Sequence, residues 1–207
     1  MNTRDYKECA PGKYYHIFNR GNGKQNIFYN PEDYAFFISR LKSNLYPSDD
    51  DSSRIQKLPP DSFSLIAYCL MPNHYHLLIR QNKDIPTSKL VSKVCTSYGK
   101  FLNKKYDKVG HLFQDHFKQI NVSDNKYLIW LSCYIHDNPK SAGLVNKLYN
   151  YEWSSFRFYM SGRGNLPCDN KVILDQFKNV SEYEKLVEES HLLIKNNKEL
   201  PGDLLLD

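Results

Sequence analysis

Two apolar runs, Phe63 to Leu70 and His74 to Gln81, are separated by only Met71-Pro72-Asn73. So short a joint cannot carry a parallel crossover, which needs a dozen or more residues. A hairpin or a bent strand pair is the reading that remains. Inside the second run, His74 and His76 stand two residues apart. Side chains at i and i+2 of a strand share a face, so the two imidazoles project side by side while Tyr75 and Leu77 point away. Paired imidazoles on a rigid strand are half of a divalent-metal site.

The surrounding pattern mixes strands with helices. Tyr14 to Arg20 reads as a strand closed by the turn Gly21-Asn22-Gly23. Pro31 to Leu45 has helical spacing, with Asn30 as N-cap and Pro31 at the first position. Thr87 to Tyr106 carries Leu90, Val91, Val94, Cys95, Tyr98, Phe101 and Leu102 on one face, and Lys89, Lys93, Lys100 and Lys104 on the other. Leu112 to Val122 holds another strand. Ser123 to Asn138 is a second strong helix, capped by Ser123 or Asp124 and stopped by Pro139. Residues 46–62 form a polar loop insertion, expected to be mobile, and the chain turns irregular after Trp153. An acidic helix spans about Ser181 to Asn196. The class is α+β. Residues 1–160 form the principal domain and 161–207 an extension of unassigned role.

Five widely spaced cysteines with no C-x-x-C pair argue against a disulfide framework and against a cysteine–zinc site. Reduced thiols fit the cytoplasm. The longest apolar run is too short for a bilayer, and Met1 to Cys9 lacks the apolar core of a secretory signal. Net charge is +5, but unevenly spread. Arg80 to Lys126 holds ten Lys/Arg against four Asp, whereas Ser181 to Asp207 holds seven acidic residues against three lysines. The positive charge lies beside the paired histidines, where an anionic partner or plain solvation would account for it.

A hard cation also wants oxygen ligands, and Asn138, at the end of the Ser123 helix, is the best candidate. Tyr134 lies four residues earlier, on the same helix face. A phenol is a competent nucleophile at a metal-polarised phosphate. Tyr127 shares roughly that face, so spacing alone does not separate it from Tyr134. His136 lies off the face and reads as structural or as a ligand contact, and His16 and His111 could equally be ordinary surface residues. Asn19, Arg20 and Asn22 beside the glycine turn are either turn chemistry or phosphate or base contacts. The lysines Lys89, Lys93, Lys100 and Lys104 are candidate contacts to an anionic backbone or plain solubilising charge, and Gln114 could be either contact or bystander.

Several blocks then follow in order: Tyr15-His16-Ile17-Phe18-Asn19-Arg20-Gly21-Asn22, Ala67 to Leu78, Gly110-His111-Leu112-Phe113-Gln114, Tyr134-Ile135-His136-Asp137-Asn138-Pro139, Ala142-Gly143-Leu144-Val145 and Trp153-Ser154-Ser155. From about Tyr14 to Tyr159 the chain resembles the REP-associated tyrosine transposases, of the single-tyrosine HUH (IS200-like) superfamily. The resemblance implies an HUH endonuclease fold, ferredoxin-like, with an antiparallel sheet, helices packed on it and the tyrosine on one of them. It implies a Mg²⁺- or Mn²⁺-dependent enzyme that cleaves and rejoins single-stranded DNA at hairpin-associated, REP-like palindromes through a covalent 5′-phosphotyrosine. By position, Tyr134 is then the nucleophile, and His74, His76 and Asn138 are the metal ligands. Monomer and homodimer both stay open. After Leu112-Phe113-Gln114 this chain has Asp115-His116 in place of the family's basic residue. The alternative is a domesticated nucleic-acid-binding protein of the same fold without turnover. A histidine-triad hydrolase fits poorly, because position 78 is Leu78.

Overall fold

In the computed structural model, which describes residues 9–47 and 57–196, alternation along the apolar runs becomes a sheet with two different faces. Four strands form it among the described residues: β1 (Tyr14–Arg20), β2 (Phe63–Met71), β3 (His74–Gln81) and β4 (Lys118–Val122). Their spatial order is β2-β3-β1-β4, with every neighbouring pair antiparallel. With helices α1 (Pro31–Leu45) and α2 (Thr87–Lys105) between them, the order β1-α1-β2-β3-α2-β4 is the ferredoxin-like arrangement. The α+β reading and its antiparallel sheet hold.

Register decides what each face carries. Phe18 pairs with His76 and Arg20 with His74 across β1 and β3, while Cys69 pairs with His76 across β2 and β3. Directly opposed residues share a face, so His16, Phe18, Arg20, His74 and His76 lie together. The other face carries Tyr15, Ile17, Tyr75 and Leu77. Tyr75 packs there against Phe37 of α1 and bonds Cys95 of α2. Burying Leu90, Val91, Val94, Tyr98 and Leu102 along α2 fixes the helix to the sheet, at about 1.5–3 kcal/mol for each large apolar side chain.

Helix α1 starts as its sequence indicates: Asn30 accepts from the Glu32 and Asp33 amides, and Asp33 closes a capping box. The β2–β3 hairpin turns on Pro72 and Asn73, held by Ile27 and Phe28 amides on the Pro72 carbonyl and by the Gly21 amide on the Asn73 carbonyl. A Cβ on Gly21 would sit 2.1 Å from the Gln25 carbonyl oxygen, so only glycine allows β1 to end against the hairpin.

Helix α3 (Asn125–Ser141) covers the histidine face. Asp124 caps it, accepting from the Tyr127 amide at 2.8 Å. The expectation that Pro139 stops this helix is corrected, because Pro139 lies inside its final turn. A proline there forfeits one intrahelical bond. The next turn keeps its bonds from the Ala142 amide to Asn138 and from the Leu144 amide to Pro139. The expected strand from Leu112 is shorter, beginning at Lys118. The 110–117 stretch bonds instead to the end of β1, through Asn22 to Leu112 and Gln114 to Arg20. The segment after Trp153 is less irregular than its glycines imply, forming α4 (Phe156–Ser161) and α5 (Lys171–Leu174). The acidic helix is α6 (Val180–Asn196), and it packs on α3: Tyr183 is fully buried there, and Lys140 lies 4.0 Å from Glu188. The expected mobility of the 46–62 loop falls largely on residues 48–56, outside the described residues. No helix among the described residues is long and apolar enough to cross a membrane.

Candidate active site

Helix α3 crosses the histidine face so that Tyr134 stands over the β3 imidazoles. The Tyr134 ring meets His76 edge-on at 5.6 Å between centroids and His16 at 6.4 Å. Trp130, one turn earlier, stacks on Tyr134 at 5.6 Å with 12° between planes and holds the phenol upright. The rival Tyr127 stacks on the outer side of Trp130, at 6.0 Å. Tyr134 is thus the tyrosine in ring contact with the histidines.

The hydrogen bonds fix which ring nitrogens carry protons. The Asn73 amide nitrogen donates to the Lys24 carbonyl, leaving its oxygen 2.6 Å from His74 Nδ1. An amide oxygen only accepts, so the His74 proton sits on Nδ1 and the lone pair on Nε2. On the other side, Asn138 Nδ2 donates to the Tyr134 carbonyl at 2.8 Å, turning Oδ1 toward His74 Nε2 at 3.5 Å. Two acceptors held face to face are stable with positive charge between them, a proton or a metal ion.

His76 supplies the next group. It is 0% exposed, and its Nδ1 lies 2.9 Å from His16 Nε2. Its Nε2 is buried without a hydrogen-bond partner. Burial drives the His76 pKa well below the usual histidine value, helped by the neighbouring His74 and His16. Burial also pushes His16 down to about 3. Both rings are therefore neutral at pH 7, the form that ligates metal. The residues present fit a divalent cation: two imidazole nitrogens and an amide oxygen, with room in the coordination shell for water or phosphate. Among the described residues no group of three His, Cys, Asp or Glu side chains forms a metal cluster, so the candidate set depends on the asparagine.

The structure decides the alternative that the sequence left open for His16. This residue is fully buried at the centre of the sheet, stacked on His76 at 5.1 Å, and is no surface residue. The available signal was a lone imidazole inside the apolar strand Tyr15-His16-Ile17-Phe18. Trp130 was missed as well, and its spacing of four from Tyr134 was the clue. His111 is exposed, as expected. His136 is buried on the far side of α3, where both ring nitrogens are bonded, 2.8 Å from the Tyr183 hydroxyl and 2.7 Å from Ser155 Oγ.

The candidate DNA contacts fall in three places. Arg20 lies on the histidine face, opposite His74, with its Nε buried and unbonded. Asn19, Asn22, Lys100 and Gln114 line a groove of about 720 Å³ between α2 and the 110–117 segment. Asn19 also ties that segment to β1, donating to the Asp115 carbonyl at 3.0 Å. Lys89 and Lys104 are exposed and Lys93 is half-buried, all on α2 outside the groove.

The family model for IS200-like transposases matches residues 56–138, which hold β2, the histidine hairpin, α2, β4 and α3 to Asn138. Among solved structures, a REP-associated tyrosine transposase bound to a REP hairpin matches at 16% identity and TM-score 0.55, over 75% of this chain and 82% of that one. At that identity the likeness establishes the fold. A candidate transposase from Deinococcus radiodurans R1 overlaps more loosely, at 14% identity and TM-score 0.40 over 60% of this chain and 90% of that one, and carries no argument. No curated protein matches by sequence.

Proposed function

We propose that this protein is an IS200-like transposase that cleaves and rejoins single-stranded DNA beside hairpins, using Tyr134 as nucleophile at a divalent-metal site formed by His74, His76 and Asn138. The observation that carries this reading is the approach of the Tyr134 ring to His76 with the Asn138 amide one turn away, facing His74. When bound, Mg²⁺ or Mn²⁺ would supply charge that polarises the scissile phosphate and steadies the leaving oxygen. The Tyr134 oxygen attacks phosphorus in line. Its bond to phosphorus forms as the bond to the 3′ oxygen breaks, the phenolic proton passes to solvent, and the 3′ oxygen takes one up. The 5′-phosphotyrosine conserves the bond for rejoining.

Arg20 is proposed to hold a phosphate oxygen from the β1 side, since its guanidinium lies on the histidine face. The groove residues Asn19, Asn22, Lys100 and Gln114 are proposed to take the strand on the opposite face, and Lys89, Lys93 and Lys104 to follow the backbone by charge. A hairpin substrate is proposed in keeping with the REP hairpin bound by the structural relative. Residues 1–160 would form the catalytic unit, with the 161–207 extension bracing α3 through α6. All five cysteines are free, which suits action in a reducing cytoplasm.

The test is a denaturing gel of protein incubated with end-labelled hairpin DNA and Mg²⁺ or Mn²⁺. A slow-migrating covalent adduct is expected from the wild type and none from Tyr134→Phe. A bare cleaved product would indicate water as nucleophile, and binding without cleavage would indicate a domesticated binder.

A further inference from the structure

His16 is the one buried imidazole on the α3 face of the sheet that the proposed mechanism leaves idle, and its surroundings give it a task. It sits at the centre of β1, 0% exposed, between the Phe18 ring at 4.7 Å and the His76 ring at 5.1 Å. Its Nε2 lies 2.9 Å from His76 Nδ1, while its own Nδ1 is buried without a partner. One proton is shared across that contact, and its position fixes the far side of His76. If His76 Nδ1 donates, His76 Nε2 carries a lone pair toward Tyr134 and Asn138. If His16 Nε2 donates, His76 Nε2 is protonated and cannot ligate a cation. Either arrangement leaves a nitrogen of His16 unbonded in the core. That cost to stability marks a group not kept for packing alone.

We propose that His16 is a positioning residue for the metal site: it accepts the Nδ1 proton of His76, selects the Nε2-ligating tautomer, and fixes the ring plane by stacking. The inference rests on the reading that His74, His76 and Asn138 hold a cation. Its basis in general chemistry is that a metal-bound imidazole donates its other N–H to an outer acceptor that sets tautomer and orientation. That acceptor is most often a carboxylate, a carbonyl or water. Here it is a second neutral imidazole, which adds no negative charge to the site.

The test uses full-length protein without DNA and Mn²⁺ as probe, followed by electron paramagnetic resonance. His16→Phe keeps an aromatic ring and removes the acceptor, whereas His16→Gln restores a carbonyl oxygen. The wild type is expected to bind Mn²⁺, His16→Phe to bind about 10–100-fold more weakly, and His16→Gln to recover most of the loss. Metal-free thermal melts report whether each variant is folded. In ¹⁵N spectra of Mg²⁺-loaded wild type, the His76 proton is expected on Nδ1, a readout that needs no variant. Wild-type affinity in folded His16→Phe, or a proton on His76 Nε2, overturns the role of His16 and leaves the metal site standing. A wild type that binds no Mn²⁺ overturns the metal site and His16's role with it.

Discussion

Two faces of α3 carry buried histidine chemistry, and they differ in one respect. Toward α6, His136 is fully buried and both its ring nitrogens are matched. Its Nδ1 faces the Tyr183 hydroxyl, which donates to Ser132 Oγ, which in turn donates to the Ile129 carbonyl. Its Nε2 meets Ser155 Oγ. Toward the sheet, His76 is buried as deeply, but its Nε2 makes no hydrogen bond and its neighbours are a phenol, two imidazoles and an amide oxygen. Burial alone does not distinguish a structural histidine from a candidate ligand. Between these two rings the difference is that both nitrogens of His136 are bonded and Nε2 of His76 is not.

The sharpest way to break this contrast is Tyr134→Phe, on the unsatisfied face. Adduct formation should fall at least about 10⁴-fold, with hairpin binding in gel shift unchanged within about twofold. Unaltered cleavage would remove Tyr134 from the chemistry.

The next pair sets the two histidines against each other. His76→Ala should lower cleavage about 10²–10³-fold and abolish Mn²⁺ binding, with a small change in melting temperature. His136→Ala should destabilise by about 2–4 kcal/mol, from a cavity and the loss of two buried hydrogen bonds. At low temperature it should still cleave. A His136→Ala protein that melts like the wild type but cannot cleave would reverse the assignment.

Acid sharpens the comparison further. Burial holds the His136 pKa near 3, from an ordinary 6.5. Between those values the unfolded chain binds a proton that the folded one refuses, so stability falls as pH drops from about 6.5 toward 3 and is unaffected above 6.5. His136→Phe should flatten the slope of unfolding free energy against pH by one proton, about 1.4 kcal/mol per unit. An unchanged slope in denaturant melts would show that His136 titrates normally in the fold.

The smallest effect concerns charge away from both faces. Lys100→Glu and Lys104→Glu should each reduce the salt dependence of DNA binding by about one phosphate contact. Only Lys100→Glu should also alter which unpaired sequence is preferred, because Lys100 lines the groove and Lys104 does not. Equal effects would make the groove a bystander.

The sheet and its main helices were legible because their signals are local. Alternation set the faces of β3, Asn30-Pro31 set the start of α1, and the four-residue spacing of Tyr134 and Asn138 put both on one face of α3. Three things were hidden because they depend on contacts between distant segments. His16 and His76 are 60 residues apart, and nothing in either strand alone shows that they pair. The choice between Tyr134 and Tyr127 needs the tilt of α3 over the sheet, which brings one ring to His76 and leaves the other outside Trp130. Pro139 was read as a stop because proline is costly in helix interiors. In a final turn, with later amides bonded to Asn138 and Pro139, the loss is tolerated.

The central claim is that the tyrosine facing the histidines, and not its neighbour beyond Trp130, takes the DNA. Trapping the adduct on hairpin DNA with Mg²⁺, digesting it and sequencing the nucleotide-bearing peptide by mass spectrometry tests this directly. A 5′-phosphate on Tyr134 is the result expected. A phosphate on Tyr127 or on any other residue would contradict the account.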